Sequence, residues 1–432
     1  MCDSFVALHT STKDKSVILA KSADCQINEA HALLHIPHQK HPKGEAVRVT
    51  HILIPQAEET YEVILSKSFW TYGAEIGINE HGLAIGNEAV YTVVQNEEKG
   101  DGIIGIDFLR LALERARSCR EAIDVIGALL KQFGQGGNCE IGGNSHFDIN
   151  YLLADPSEAW VLETAGREWA ARQVKEIGSI SNAFIIGQDW DRSSLEGQPE
   201  RVDWGSKYGD REYIPKLGTR ERQSTTFGCL AAVPGQATVQ TFFNTLRDHG
   251  ELTDPSAGEV LKNICAHTGP SPIRQWQATG AMVAHIRGDD KMAWVTGTSG
   301  TCLSIFKPVF LGMPLPDIGP SPTEHFNPQC MWWEHELLHR RAMADFEHIL
   351  PEIRAEFDQL ESEFLAESES VRCASVLVKK EFMDYCFQRA RYATRVWIDR
   401  LETRKDLHFK RPEIQAMWNS FNSQAGLLGM PA

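Results

Sequence analysis

The chain opens MCDSFVAL, residues 1–8, and its second residue decides how the fold is read. Removal of Met1 makes Cys2 the first residue, with a free α-amine and a thiol on one Cα. The thiol is a nucleophile, and the amine is a base already within its reach. A free cysteine has a pKa of about 8.5 and an α-amine one of about 7.7–8.0, so neither needs a large shift to work near neutral pH. This is nucleophile-plus-base chemistry at a chain terminus. Methionine aminopeptidases act when the second residue is small, as cysteine is. A cysteine at position 2 can also be without a role, so the rest of the chain has to decide.

Outward from Cys2, the first ninety residues read as strands. FVALHT and SVILAKS flank a polar turn, and VRVTHILIP and YEVILSKS are β-branched runs. In AEIGINEHGLAIGNEAV, residues 74–90, Asn79 to Gly82 supply the turn of a tight hairpin. Two helices follow, with Leu109, Ala112, Leu113 and Ala116 on one face and Ile123, Ile126, Leu129, Leu130 and Phe133 on the other. GQGGNC, residues 134–139, is a glycine-rich loop near the site that matches no phosphate-binding pattern. Strands return over residues 150–174 and ISNAFII, then helices over 238–250 and 256–267, then strands GAMVAHI, KMAWVTG and CLSIFKPV. Strands and helices come in blocks rather than in regular alternation, which predicts an α+β architecture of packed layers.

After the proline cluster at 312–322 the composition turns helical. Phe346, Leu350, Ile353, Phe357, Leu360 and Phe364 form one apolar stripe, with Pro351 expected to start or kink that helix. Two parts are expected, a body over residues 1–315 and a helical extension over 330–432. Trp332 and Trp333 are expected to anchor the extension.

Composition excludes some functions. The net charge of −15 over 432 residues repels phosphate backbones, so nucleic acid is not an expected partner. No apolar run reaches membrane-spanning length and no secretory leader is read, which predicts a cytoplasmic protein with no membrane partner. The ten cysteines form no C-x-x-C pair, and reduced, buried thiols are expected. His31, His35, His38 and His41 are close in sequence, but Pro37 and Pro42 break any helix that would align them, so a metal reading is set aside. His267 and Trp276 either line the pocket or fill the core.

With MCDSFVAL, AKSAD, NEHGLAIGNEAV, GQGGNC, AWVLETAGREWA, SISN, ATGAMV, GTSGTCLSIFKP and WWEHELLHR in one order, the chain resembles a secernin-type member of peptidase family C69, in the N-terminal nucleophile hydrolase superfamily. The resemblance runs from Cys2 to Arg340. It implies a four-layer αββα sandwich with the nucleophile at the start of an inner strand. It also implies a dipeptidase, or a hydrolase of small N-acyl amides, that needs no cofactor and no metal. Homo-oligomers are common in the superfamily, so one is expected here.

Bile-salt hydrolases and penicillin V acylases resemble the chain more distantly, and their motifs supply roles. Asp24 would hold the α-amine of Cys2 beside the sulfur. Lys21, where the acylases carry arginine, would place a positive charge near the thiolate. Asn87 would donate to the oxyanion, and Asn182 would orient the amine or the substrate amide. Asparagine is disfavoured in strands, which suggests a side-chain reason for both. A later arginine is either Arg220 or Arg222, with Arg222 preferred. Two alternatives stay open: a secernin-like regulatory protein in secretion that retains the scaffold, and an N-terminal cysteine converted to an electrophile.

Overall fold

The computed structural model describes residues 1–94, 102–250, 252, 254–256, 262–270, 274–288, 290–404 and 407–427. Its principal strands are β1 (Asp3–Ala7), β2 (Val17–Gln26), β3 (His31–Ile36), β4 (Val63–Ser68), β5 (Ile76–Asn79), β6 (Ala84–Val90), β7 (Asp148–Ala154), β8 (Ala159–Ala165), β9 (Glu168–Val174), β10 (Ile177–Ile180), β11 (Arg192–Ser193), β12 (Trp276–Arg287), β13 (Asp290–Val295) and β14 (Lys307–Phe310). They form a six-stranded sheet in the order β10-β1-β2-β12-β13-β14 and an eight-stranded sheet in the order β11-β9-β8-β7-β6-β5-β4-β3.

The sheets lie face to face, with β1 and β2 against β6 and β7. Helices α1 (Gly105–Arg115) and α2 (Cys119–Phe133) cover the eight-stranded sheet. After the short α3 (Trp204–Tyr208), helices α4 (Thr219–Ala231) and α5 (Val239–Leu246) cover the six-stranded one. The result is the αββα sandwich. Strand alternation builds it: Val63 and Leu65 face the α1/α2 core, whereas Ile64 between them faces the other sheet. Phe5 of β1 stacks on Phe242 of α5 with centroids 5.0 Å apart.

Two local features set the close packing. The 79–82 turn forms as its sequence predicts: the Asn79 side chain accepts from the amides of His81 and Leu83, and Gly82 takes φ 82°. In β6, a Cβ on Gly86 would come within 2.6 Å of Ser4 Oγ, so only glycine lets the two sheets approach here.

The extension consists of α6 (Met331–Ala342), α7 (Phe346–Val371), α8 (Val376–Glu402) and α9 (Pro412–Gln424). Helices α7 and α8 pack on β14, and one apolar core runs through body and extension. Trp332 Nε1 donates to Thr279 O of β12 at 2.8 Å, which is the anchoring read from the tryptophan pair. Pro351 lies inside α7, one turn beyond its start, so it neither starts nor ends the helix. The helix read over 256–267 is corrected in part. Residues 257–261 lie outside the described residues, and Lys262–His267 is irregular. Among the described residues, no helix is long and apolar enough to cross a membrane.

Candidate active site

Cys2 immediately precedes β1, an inner strand between β10 and β2. The pairing Asp3↔Ser22 and Ser4↔Lys21 brings the chain start beside the end of β2, where Asp24 lies. Cys2 Sγ accepts from the Asp24 backbone N–H at 3.3 Å. The Cys2 backbone nitrogen donates to Asn182 Oδ1 at 3.0 Å. Met1 lies over this point, and its amine donates to Asp24 O at 3.3 Å.

Arg222 reaches the site from α4 and is fully buried. Its Nη1 donates to Asp3 Oδ2 at 2.7 Å and to Cys2 O at 3.2 Å, and its Nη2 donates to Asn182 Oδ1 at 2.8 Å. Arg220, two residues away, is exposed. Asn182 follows β10 directly and completes its bonding through Nδ2, which donates to Ala89 O at 2.8 Å.

Lys21 sits behind Cys2 with no exposed surface. Its ammonium faces Glu75 at 3.2 Å and Glu88 at 3.8 Å and donates to Asn87 O. Burial alone would lower its pKa, but the charges of Cys2, Glu75 and Glu88 outweigh burial and raise it. Asn87 lies on β6 and lines the pocket; its Nδ2 donates one of two hydrogens to Ala74 O at 2.7 Å.

Burial dominates the titration of the remaining groups. It pushes the Cys2 thiol up to about 11, although Lys21 and the N-terminal amine pull the other way. It pushes Asp24 up to about 7 and Glu88 up to about 8. Asp24 Oδ2 is buried without a hydrogen-bond partner, and Oδ1 accepts from Ser22 Oγ at 3.2 Å. With Met1 attached, the Cys2 nitrogen is an amide, and it is held by Asn182 Oδ1 rather than by the Asp24 carboxylate.

The pocket encloses about 780 Å³, open to solvent, and is lined by Cys2, Asp24, Asn87, Asn182, Trp276 and the loop residues Cys139 and Glu140, among others. Glu140 closes one side by accepting from Gln26 Nε2 and from Ser145 Oγ. Trp276 lines the pocket, but His267 lies in a separate buried cluster with His249, Cys265 and Cys302. The histidines at 31–41 bond to separate partners: His31 to Cys25, His35 to Glu62, His38 to Glu59 and Glu80, His41 to Thr60.

The sequence reading missed Asp3, Glu75 and Glu88. A signal existed for the last: Glu88 follows Asn87 in a strand run otherwise made of small and apolar residues, and the structure buries it fully. The chain carries a local hint of the histidine–cysteine cluster, Cys265 and His267 two residues apart with His249 upstream, but only folding brings Cys302 to them.

Residues 1–183 match the sequence model of peptidase family C69. A dipeptidase of Bifidobacterium longum (strain NCC 2705) is 26% identical over 217 residues, covering 44% of this chain and 38% of that protein. Probable dipeptidase A of Streptococcus pyogenes serotype M3 (strain SSI-1) is 28% identical over 124 residues, 27% of this chain and 24% of that protein. The matched regions thus span well under half of these relatives. The solved structure of penicillin V acylase from Agrobacterium tumefaciens is similar over 72% of this chain and 86% of its own, at 13% identity and a TM-score of 0.43. The family match stops short of the Arg340 to which the sequence blocks run. The stretch that supplies Cys2, Lys21, Asp24, Asn87 and Asn182 is the stretch, residues 1–183, that reads as peptidase family C69.

Proposed function

We propose that this chain is an amide-bond hydrolase of the dipeptidase or N-acyl amidase kind, with Cys2 as nucleophile once Met1 is removed. One observation carries the reading: the backbone nitrogen and the sulfur of Cys2 are both held at the floor of one pocket, the first by Asn182 and the second by Asp24 N–H. The family match to peptidases and the similarity to two dipeptidases support the substrate class.

The raised thiol pKa, about 11, means that the nucleophile must be deprotonated by a neighbouring base during attack. Among the described residues no histidine lines the pocket, and of its carboxylates Asp24 meets Cys2 through backbone atoms rather than through its side chain. The base nearest to Sγ is then the α-amine that Met1 removal creates on the same residue. It takes the thiol proton as sulfur attacks the carbonyl and gives it to the leaving amine. Asn87 and a backbone N–H hold the oxyanion, and water releases the acyl group. Arg222 and Asn182 position the amine, and Lys21 supplies positive charge to the thiolate. The substrate is a small peptide or N-acyl amide, the setting is cytoplasmic and the family branch is secernin-like.

The test pairs intact mass with turnover. The expected protein lacks Met1, carries an unmodified Cys2, and hydrolyses dipeptides. Cys2→Ala should abolish turnover and Cys373→Ala, at an exposed cysteine, should leave it unchanged. Complete retention of Met1 removes the base and sinks the mechanism, leaving a scaffold that binds partners. A mass change confined to the mature N-terminus points to a processed electrophile instead.

A further inference from the structure

Beyond the hydrolase pocket, His249, Cys265, His267 and Cys302 converge in the interior, with one ligand atom of each within 4.8 Å of all the others. His267 Nε2 is the centre of the group. It lies 3.1 Å from His249 Nε2, 3.5 Å from Cys265 Sγ and 3.4 Å from Cys302 Sγ. A neutral imidazole nitrogen offers one hydrogen or one lone pair, so it cannot satisfy three such neighbours at once. A cation in their midst satisfies all of them. For tetrahedral zinc with Zn–N of about 2.0–2.1 Å and Zn–S of about 2.3 Å, neighbouring ligand atoms sit about 3.3–3.8 Å apart. The separations around His267 are close to that range.

The surroundings are those of a metal ligand. His267 Nδ1 faces His339 Nε2 at 3.1 Å, and His339 Nδ1 faces Glu336 Oε2 at 3.1 Å. With His267 Nδ1–H donating to His339, and His339 Nδ1–H donating to Glu336, the Nε2 lone pair of His267 is aimed into the cluster. A histidine oriented through its other nitrogen by a hydrogen-bond chain ending at a carboxylate is the usual support of a metal-bound imidazole. Gly300 makes room for it: a Cβ there would come within 2.9 Å of the His339 ring. Phe346 packs edge-on against both His249 and His267 and keeps the group dry.

We infer that these four side chains form a closed Cys₂His₂ site for one zinc ion. Two thiolates and two imidazoles in a buried tetrahedron select zinc, and four protein ligands leave no open position for a substrate. The site is structural. It ties the turn after α5, the segment before β12, the turn at Thr301–Leu303 and, through His339, helix α6 of the extension. Its two cysteine-bearing segments also clamp one residue: Ala278 N–H donates to Ala266 O and Ala278 O accepts from Gly300 N–H. Ala278 pairs with Asp24 across β12 and β2, so the metal would brace the strand behind the pocket. Binding displaces the thiol protons of Cys265 and Cys302 to solvent.

The test uses the full chain, purified with zinc and a reductant and then dialysed against metal-free buffer. Elemental analysis should find about one zinc per chain, in the native sequence and in Cys2→Ala alike. Cys265→Ser/Cys302→Ser should retain less than a tenth of that. If the double variant fails to fold, His249→Ala, at the half-buried ligand, serves instead; it should hold zinc at least tenfold more weakly in competition with a chromogenic chelator. Cobalt loaded in place of zinc should show thiolate charge-transfer and tetrahedral ligand-field bands. A folded native chain that keeps no zinc overturns the inference. So does His249→Ala holding zinc as tightly as the native chain. An intact mass short by two hydrogens, with Cys265 and Cys302 joined as a disulfide, overturns it as well.

Discussion

Arg222→Met is the substitution whose effect follows most directly from the geometry. The guanidinium makes three contacts, and their loss is unequal. Asn182 Oδ1 keeps the Cys2 N–H at 3.0 Å, and Cys2 O keeps the Ser181 hydroxyl at 3.3 Å. Asp3 keeps nothing comparable: Oδ2 loses its 2.7 Å partner, and Oδ1 is already buried without one. The cost is therefore that of an unpaired buried carboxylate, about 3–5 kcal/mol. Methionine fills much of the same volume, so cavity formation adds little. Equilibrium urea unfolding of Arg222→Met should show a lower midpoint at unchanged slope.

The decisive comparison is the double variant Asp3→Asn/Arg222→Met. Asparagine removes the uncompensated charge, so the double variant should be more stable than Arg222→Met alone, by about 1–3 kcal/mol of coupling. Its turnover should stay low, because Cys2 O and Asn182 have still lost the arginine. A loss under 1 kcal/mol for Arg222→Met, or simple additivity in the cycle, would refute the reasoning.

Three further outcomes are expected. Asn87→Ala should lower kcat by roughly 10²–10³ with little change in KM, measured as steady-state dipeptide hydrolysis, if its second amide hydrogen serves the oxyanion. Asp24→Asn should stabilise the protein at pH 8 and not at pH 3. Burial raises the folded pKa of Asp24 to about 7 from an ordinary 3.8, so the folded state binds the extra proton between those values and stability falls as pH rises through them; thermal melts at both pH values would decide. Lys21→Met should destabilise the fold by about 3–5 kcal/mol, because Glu75 and Glu88 lose their shared cation, and Glu88→Gln in the same chain should restore part of it, read by urea unfolding.

The fold was legible wherever a pattern was local. The 79–82 turn, the tail stripe and most strand runs are set by neighbours within a few residues and appear as read. VRVTHILIP instead splits into two short paired strands, Ala46–Arg48 and Leu53–Pro55. ISNAFII holds no strand beyond Ile180, and CLSIFKPV opens with a turn at Thr301–Leu303 before its strand at Lys307. The helix over 256–267 was misread at its described end because Cys265 and His267 face buried partners, and tertiary contacts override a helical spacing of apolar residues. The site was legible only in part. Cys2, Lys21 and Asp24 are carried by adjacent strands, so spacing keeps them together. Arg222 reaches them from a helix about 220 residues away in sequence, which spacing alone cannot reveal. Glu75 and Glu88 depend on sheet-to-sheet stacking, and the histidine–cysteine group on the meeting of the turn after α5, the segment before β12 and the turn at Thr301–Leu303, relations no single stretch encodes.

The surroundings of Lys21 follow from the same stacking. Lys21 does not line the pocket; it points into the space between the sheets, where Glu75, Glu88 and Asn87 O surround its ammonium. A planar guanidinium is needed where a side chain must grip a carboxylate in two places. Here the acceptors belong to three different groups, the carboxylates of Glu75 and Glu88 and the Asn87 carbonyl, and the three rotatable hydrogens of an ammonium suit them. Lys21 therefore lends charge to the Cys2 sulfur, and under the proposed mechanism contact with a substrate would fall to residues that line the pocket. That separation matters for the chemistry. Against the effect of burial, the charges of Cys2, Glu75 and Glu88 raise the Lys21 pKa, so this cation stays charged near neutral pH, whereas Asp24 and Glu88, pushed up to about 7 and about 8, change the field around it there. Under the proposed mechanism the proton movements of catalysis would then fall to the amine of Cys2, the base that removal of Met1 would create.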